Sequence, residues 1–339
     1  MYLHRQFYVM ITNMKEGHSI MKLFVIGCGR WGTFIAWYLD HIGHDVTLYG
    51  REGSKNMERL MRERKNEYME LPDSLRLTNS LDGAKEAEAV VISAGSQNLR
   101  SLCETLKPYG LTYKTFVLCM KGIEISTGRR LSQVMEEYMD ASDRVAVWLG
   151  PGHVEEFYRG IPNCMVIDSS HDATKELLVE QFSSELIRFY YGMDLIGNEI
   201  GGAAKNVIGI AAGMLDGIGR TSLKGPLMAR GPREIARLIK TMGGNELSAY
   251  GLCHLGDYEA TLFSAHSHNR MFGECFVRKA PYDKLAEGYY TVKALVALGE
   301  RYQVELPICE AVYAMLYEGL SPEMALEELF SRSLKSEFV

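Results

Sequence analysis

The first half of the chain alternates short apolar runs with stretches whose apolar residues recur at helical spacing. The apolar runs, which predict buried strands, cover 22–27, 45–50, 89–93, 115–119, 145–150, 164–169 and 188–191. The stretch 129–139 is typical of the helical segments between them. Strands that alternate with helices predict an α/β fold built on a doubly wound parallel sheet.

Beyond about residue 197 the strand pattern stops and helical spacing continues alone. The segment 233–243, for example, has apolar residues at helical spacing and ends at a Gly-Gly pair, which is a helix stop signal. We therefore predict a sheet domain over 21–197 and an all-helical domain over 198–335. No low-complexity linker separates the two, so we expect them to pack closely, with the functional site in the cleft between them.

Composition narrows the class of protein. The chain has 339 residues, of which 47% are apolar and 24% charged, with a net charge of −6. These values are typical of a folded globular protein, and the negative charge argues against a nucleic-acid-binding surface. No apolar run is long enough to insert into a membrane. The seven cysteines are odd in number and form no CxxC pair, which indicates a reducing compartment, and we expect the cytoplasm.

Residues 1–20 stand apart from the pattern that follows. They lack the apolar core and the cleavage site of a signal peptide. A strand-like run begins directly after Met21. We expect an extension that is disordered or not part of the native chain, with Met21 as the true start.

A glycine motif follows the first predicted strand. Gly27, Gly29 and Gly32 form a GxGxxG pattern that opens a helix, the context in which this motif binds a dinucleotide. The alternative is an ordinary tight turn between strand and helix. Arg51 follows the second predicted strand, where an arginine can pair with the 2′-phosphate of NADP; we therefore favour NADP over NAD. The alternative for Arg51 is a side chain that faces solvent.

The stretch 200–218 is almost entirely apolar or small, yet it contains Lys205. A buried, unpartnered lysine is costly, and burial lowers its pKa. Such a lysine suits proton transfer near neutral pH. The alternative is a lysine near a helix end that holds its stem on apolar surface and its ammonium in water.

Five blocks of sequence, in this order and spacing, resemble the soluble bacterial NAD(P)-dependent glycerol-3-phosphate dehydrogenases. The blocks are MKGIE (120–124), LGPGHVEE (149–156), EIGGAAKNVIGIAAGMLDG (199–217), LCHLGDYEAT (252–261) and SHNRMFG (267–273). The resemblance implies a Rossmann-type domain followed by a helical domain similar to that of 6-phosphogluconate dehydrogenase. It also implies reversible hydride transfer between NAD(P)H and dihydroxyacetone phosphate, giving sn-glycerol 3-phosphate for phospholipid synthesis, by a homodimer.

The resemblance also implies roles for individual residues. As catalytic residues it implies Lys205, Lys121 and Asp257. As substrate-binding residues it implies Lys121, Gly150, Thr261, Ser267, His268 and Asn269. As cofactor-binding residues it implies Gly27, Gly29, Trp31, Gly32, Arg51, Lys121, Val154, His268 and Glu287.

The three implied catalytic residues form a consistent chemical set. Lys205 would exchange the proton at the C2 oxygen of the substrate. Lys121 would lower the pKa of Lys205 further, whereas Asp257 would raise it and orient the ammonium. The two cations would also stabilise the negative charge that develops on the carbonyl oxygen. The alternatives are a surface loop for Lys121 and a turn or helix cap for Asp257.

The chain departs from the family mainly on the substrate side. His268 stands where the family usually has an arginine. Neighbouring Arg270 could compensate, although its side chain would point elsewhere. Ser222, Gly95 and Gly152 replace a family asparagine, proline and small hydroxyl residue. His254, His266 and His268 lack the ligand spacing of a zinc site, so we expect no metal.

Two rival functions remain open on the sequence alone. One is a dehydrogenase of the same fold that acts on another small phosphorylated or carboxylated hydroxy compound. The other is a regulatory protein that binds the cofactor without turnover.

Overall fold

In the computed structural model, the described residues are 19–334, 336 and 337. Residues 1–18, Lys335, Phe338 and Val339 lie outside them. The prediction of a separate extension therefore falls almost entirely outside the described residues. Within them, Ser19 and Ile20 are exposed, and Met21 is the first buried residue.

Among the described residues, eight strands form one sheet. They are β1 (Lys22–Ile26), β2 (Asp45–Tyr49), β3 (Arg76–Thr78), β4 (Ala89–Ile92), β5 (Thr115–Leu118), β6 (Arg144–Leu149), β7 (Asn163–Ser169) and β8 (Ile187–Tyr191). The apolar runs predicted seven of these strands. The sequence pattern missed β3 because it is only three residues long and none of them is buried.

The strand order is β3-β2-β1-β4-β5-β6-β7-β8. The first six strands pair in parallel, as predicted, but β7 runs antiparallel to β6 and β8 follows the direction of β7. A fully parallel sheet is therefore the wrong expectation for the last two strands. The helix between β6 and β7, α5 (Val154–Tyr158), has five residues and rises only about 7.5 Å, whereas a strand of six residues spans about 20 Å. This helix alone therefore does not run the length of a strand, as the crossover helix between two parallel strands usually does.

The other helices of the first half cover the two faces of the sheet. They are α1 (Arg30–His41), α2 (Lys55–Glu63), α3 (Leu99–Leu106), α4 (Leu131–Glu136) and α6 (Asp172–Phe182). The predicted helix at 129–139 is thus shorter in the structure. Each face of the sheet has its own apolar cluster, with Phe34 and Trp148 on one side and Phe24 and Leu118 on the other.

The rest of the chain is helical. Its helices are α7 (Leu195–Gly217), α8 (Lys224–Thr241), α9 (His268–Val277), α10 (Glu287–Tyr302), α11 (Pro307–Tyr313) and α12 (Pro322–Ser331). They surround a third apolar cluster that includes Ile208, Ile235 and Leu295. Within the described part of the chain, no helix combines the length and the apolar character needed to cross a membrane.

Helix α7 is the centre of this helical part and is buried on nearly all sides, which explains its uniformly apolar and small residues. Glycines allow its neighbours to approach closely. A Cβ added at Gly213 would lie 1.9 Å from the carbonyl oxygen of Arg270, and one at Gly273 would lie 2.1 Å from that of Ile210. The backbones of α7 and α9 therefore touch, and this contact brings the start of α9 close to the middle of α7.

Candidate active site

The glycine loop between β1 and α1 has the geometry of a phosphate cradle. Gly27 has a φ of +115°, and a Cβ there would lie 2.1 Å from the carbonyl oxygen of Ser93. A Cβ at Gly32 would lie 1.9 Å from the carbonyl oxygen of Gly27. Gly29 caps α1 and has open space where a side chain would be. The loop thus leaves the amino end of a twelve-residue helix accessible, where anions bind favourably, and these residues fit a dinucleotide.

The other residues implied for the cofactor lie along the same edge of the sheet. Arg51 is exposed just after β2. Trp31 packs against Phe34, with ring centroids 5.2 Å apart. Val154 begins α5 and is 1% exposed, so its side chain packs in the core and only its backbone could meet a ligand.

Glu287 begins α10 and meets the sheet domain. Its carboxylate accepts hydrogen bonds from the Ser96 hydroxyl at 2.6 Å and from the Ser96 amide at 3.2 Å. Burial raises the pKa of Glu287, and the two bonds from Ser96 oppose that shift. Ser96 was not among the sequence candidates. It follows Gly95, one of the departures noted in the sequence, but no sequence pattern indicated that Ser96 would contact Glu287.

Lys205 lies in the middle of α7, eleven residues into a helix of twenty-three. Its side chain is 11% exposed. The alternative of a helix-end lysine with its ammonium in water is therefore wrong. The Lys205 ammonium donates to the Thr261 hydroxyl at 2.8 Å and lies 3.1 Å from the Asp257 carboxylate.

Lys121 and Asp257 reach Lys205 from two different segments. Lys121 follows β5, at the carboxyl edge of the sheet where ligands bind in such folds. Its ammonium donates to Asp257 at 2.5 Å and to the carbonyl of Gly150 at 2.6 Å. The Asp257 side chain is 2% exposed, so it is neither a surface turn nor an exposed cap. The structure thus brings all three sequence candidates for catalysis into direct contact.

The environment of Lys205 lowers its pKa, as the sequence suggested. Burial lowers the pKa of Lys205 to about 8, Asp257 opposes that shift, and Lys121 adds to it. A lysine with a pKa of about 8 can exchange a proton near neutral pH, which an ordinary lysine cannot do efficiently.

Three of the substrate-binding candidates, Ser267, His268 and Asn269, lie at the start of α9. The Ser267 hydroxyl accepts from the Arg270 amide at 3.3 Å and so caps the helix. Asn269 donates to the side chain of Asn206 at 3.1 Å and accepts from the Gly288 amide at 2.9 Å. Asn269 therefore ties α9 to α7 and α10. Asn206 is a residue of the site that the sequence candidates omitted, although it follows Lys205 directly.

His268 is half-buried at the first position of α9. Burial, together with the charges of Arg30 and Lys284, lowers its pKa. His268 is therefore neutral near pH 7 and supplies no cation there. Arg270 does not replace it, because its guanidinium bonds Asp216 and Glu274 at 2.9 Å and the carbonyl of Ser264 at 3.1 Å. The Arg270 side chain thus points elsewhere, as expected from the sequence, and the suggested compensation does not occur.

The three histidines considered for a metal site have other environments. Both ring nitrogens of buried His254 are hydrogen-bonded, at 2.8 Å each, to Gly201 and Tyr258. His266 is exposed and its ring contacts that of His153. Among residues 19–334, 336 and 337, no group of three or more His, Cys, Asp or Glu side chains is arranged to hold a metal ion.

One cavity lies away from this site, between α8, α11 and α12. Its volume is about 790 Å³, and its lining includes Leu227, Glu234, Val312 and Phe330. It contains none of the candidate residues. The candidate active site is therefore identified by the contacts of its side chains and not by this cavity.

Comparison with known proteins identifies relatives along nearly the whole chain. Residues 22–175 match the family model for the N-terminus of NAD-dependent glycerol-3-phosphate dehydrogenase, and residues 194–327 match the model for its C-terminus. A glycerol-3-phosphate dehydrogenase [NAD(P)+] of Pelodictyon phaeoclathratiforme is 37% identical over 332 residues, covering 94% of this chain and 99% of the relative. One from Thermoanaerobacter is 34% identical over 328 residues, covering 94% of this chain and 99% of the relative.

Solved structures agree with the sequence relatives. The crystal structure of glycerol-3-phosphate dehydrogenase from Coxiella burnetii superposes with a TM-score of 0.85 at 26% identity, covering 92% of this chain and 99% of the other. The yeast enzyme GPD1 superposes with a TM-score of 0.77 at 20% identity, covering 93% and 100%; this second likeness concerns the fold alone.

Proposed function

The chain belongs to the NAD-dependent glycerol-3-phosphate dehydrogenase family, and from that premise we propose how its own residues carry out the reaction. The protein is an NAD(P)-dependent oxidoreductase that interconverts dihydroxyacetone phosphate and sn-glycerol 3-phosphate, the family's link to phospholipid synthesis. The observation that carries the assignment of residues is the buried contact of Lys205, Lys121 and Asp257.

Lys205 is the proton donor for carbonyl reduction. Its protonated ammonium donates the proton to the C2 oxygen of the substrate, and its neutral amine accepts that proton in the reverse direction. A pKa of about 8 makes both forms accessible near neutral pH. Asp257 holds the ammonium in place through its carboxylate at 3.1 Å.

Lys121 stabilises the negative charge that develops on the substrate oxygen. Its ammonium is fixed by Asp257 and the carbonyl of Gly150, so it is preorganised and needs little rearrangement during the reaction. Thr261 bonds the Lys205 ammonium and so fixes its direction. The substrate phosphate is held at the start of α9 by Ser267, His268 and Asn269, where the amino end of the helix favours an anion.

The cofactor would be held at the carboxyl edge of the sheet. Gly27, Gly29 and Gly32 would hold its pyrophosphate, and Trp31, Val154, His268 and Glu287 would line its path. When bound, the reduced nicotinamide supplies the hydride. Arg51 makes NADP the favoured form, because an exposed guanidinium can pair with a 2′-phosphate.

The two parts of the chain have different roles in the proposed reaction. Residues 21–197 hold the cofactor, and residues 198–335 supply Lys205, Asp257 and the start of α9. We place the protein in the cytoplasm as a homodimer. Phe330 and Leu334 are 71% and 103% exposed, so the end of α12 and the residues just after it offer an apolar surface for the partner. Analytical ultracentrifugation of the purified chain tests this assembly, and a monomer at micromolar concentration contradicts it.

The assignment is tested by following NADPH, and then NADH, at the nicotinamide absorbance after addition of dihydroxyacetone phosphate. We expect oxidation by the wild type and a loss of at least about a hundredfold in Lys205→Ala, at the low end of the contribution of a general acid. Lys293→Ala, a change of an exposed α10 lysine, is the matched control and retains activity.

The same assay separates the rival functions. Turnover with the carbonyl form of a different small hydroxy acid or phosphorylated alcohol, but none with dihydroxyacetone phosphate, favours another substrate on this fold. Tight binding of NADPH with no turnover on any candidate favours a regulatory protein.

A further inference from the structure

Asp257 must lie within hydrogen-bond reach of Lys205, yet it belongs to an irregular segment. It ends the short 3₁₀ turn Leu255–Asp257 and precedes the single π-helical turn Glu259–Phe263. Neither turn is long enough to fix its own position. Some other contact has to hold this segment against α7.

His254 makes that contact with both of its ring nitrogens. His254 is fully buried, and its Nδ1 lies 2.8 Å from the carbonyl oxygen of Gly201. A carbonyl oxygen only accepts, so Nδ1 carries the proton and donates. Nε2 is then the acceptor, and the Tyr258 hydroxyl donates to it at 2.8 Å.

The two ends of this hydrogen-bonded chain are anchored on helices. Gly201 lies one turn before Lys205 on α7, and in an α-helix its carbonyl also accepts from the Lys205 amide. A Cβ at Gly201 would lie 3.0 Å from the Cβ of His254. At the other end, a Cβ at Gly231 of α8 would lie 2.8 Å from the Tyr258 hydroxyl oxygen. Small residues on both helices thus make room for the imidazole and the phenol.

The chain of contacts continues to Asp257 itself. The Asp257 amide donates to the carbonyl of His254 at 3.0 Å. His254 therefore links Asp257 to Gly201, which lies one turn before Lys205 on α7. The position of the Asp257 carboxylate depends on this link.

We propose that His254, supported by Tyr258, is a positioning residue that fixes Asp257 against Lys205. This inference rests on the proposed role of Lys205 as proton donor. His254 does not touch the substrate or exchange a proton with it. Burial lowers the pKa of His254 to about 4, so the imidazole stays neutral and its hydrogen-bond pattern is constant wherever the enzyme works.

The charged and titratable groups around Lys205 determine in which direction its pKa would shift. Asp257 raises the pKa of Lys205 and Lys121 lowers it, while His254 is neutral. If the segment is released, Asp257 moves away and the opposing effect of its carboxylate weakens. The pKa of Lys205 then falls, by about one unit, the lower end of what a neighbouring opposite charge contributes.

The test compares His254→Leu, which removes both bonds, with His254→Asn and Tyr258→Phe. The asparagine amide can stand in for Nδ1–H and keep the bond to Gly201, and the phenylalanine keeps the ring but loses the hydroxyl. Two quantities are measured against pH: kcat for reduction of dihydroxyacetone phosphate, and the rate at which acetic anhydride acetylates Lys205 in the free enzyme, followed by mass spectrometry.

We expect both profiles of His254→Leu to move to lower pH by about one unit, with smaller shifts in His254→Asn and Tyr258→Phe. Leu298→Ala, which shortens a buried side chain of α10, lowers stability without moving either profile. If His254→Leu does not fold, the other two variants carry the test.

Unshifted profiles in folded variants overturn the inference. If acetylation shifts and the kinetic profile does not, His254 does position Asp257, but Lys205 is not the proton donor. The two proposals thus fail in distinguishable ways.

Discussion

The pKa and the orientation of the Lys205 ammonium depend on neighbours that are far away in sequence. The segment around 205 identifies a buried lysine, and the resemblance to the family adds Lys121 and Asp257. The contacts through Thr261 and His254 were not predictable, because they depend on the path of an irregular segment. Residues in an irregular segment show no helical or strand periodicity from which their contacts could be predicted.

Arg51 gives a test of cofactor preference at the scale of one residue. Changing Arg51 to Gln removes the cation that would pair with the 2′-phosphate, a contact of about 1.5–3 kcal/mol. We expect the KM for NADPH to rise by roughly tenfold to a hundredfold, with the KM for NADH unchanged. Arg62→Gln, at a side chain 70% exposed on α2, is the control. No change in either KM means that Arg51 only faces solvent, and an equal rise in both means that it contacts a part that the two cofactors share.

His268 gives a test of where the substrate phosphate binds. Burial and nearby cations keep His268 neutral, so His268→Arg introduces the charge that the family has at this position. We expect the KM for dihydroxyacetone phosphate to fall by roughly five- to thirtyfold, or about 1–2 kcal/mol. His266→Arg, at an exposed histidine two residues earlier, is the comparison. An unchanged KM means that other groups hold the phosphate.

At the scale of elements, the sequence was informative where strands and helices are long and regular. It predicted β1, β4, β5 and the helical second half. It did not predict the reversal of β7, because direction depends on the reach of the connecting segment and not on the strand's own residues.

Helices α4 and α7 are joined by a buried ionic contact across the two parts of the chain. Glu199 accepts from the Ser132 amide at 2.9 Å and pairs with Arg130, whose side chain is 11% exposed. Removing one partner of a buried pair leaves an uncompensated charge. We expect Glu199→Ala to lower the free energy of unfolding by about 3–5 kcal/mol.

The double variant Arg130→Ala/Glu199→Ala provides the control for this prediction. It leaves no orphaned charge, so it should lose less stability than the sum of the two single variants. Urea unfolding of all four proteins measures the coupling. Additive losses mean that the pair contributes little.

At the scale of the whole molecule, the proposed active site requires both parts of the chain. Lys121 and Gly150 follow strands of the sheet, while Lys205 and Asp257 belong to the helical part. Glu287 and Ser96 join the two parts beside the glycine loop. The sequence predicted a cleft between two domains, but not which side chains would connect them, because such contacts depend on how the domains dock.

This arrangement predicts that cofactor binding slows hydrogen exchange in both parts of the chain. With saturating NADPH, hydrogen exchange should slow at residues 27–32 and also at the start of α10 around Glu287. The variant Glu287→Ala should keep the first protection and lose the second. Protection confined to the glycine loop in the wild type means that the helical part does not contact the cofactor.

The most direct test of the account is the pH dependence of kcat for reduction of dihydroxyacetone phosphate by the wild-type enzyme. In the proposed mechanism, reduction needs protonated Lys205, whose pKa is about 8, so kcat should fall as pH rises through that value. Oxidation of glycerol 3-phosphate needs the neutral amine and should rise over the same interval. Profiles that stay flat in both directions between pH 7 and pH 9.5, with chemistry limiting the rate, contradict Lys205 as the proton donor.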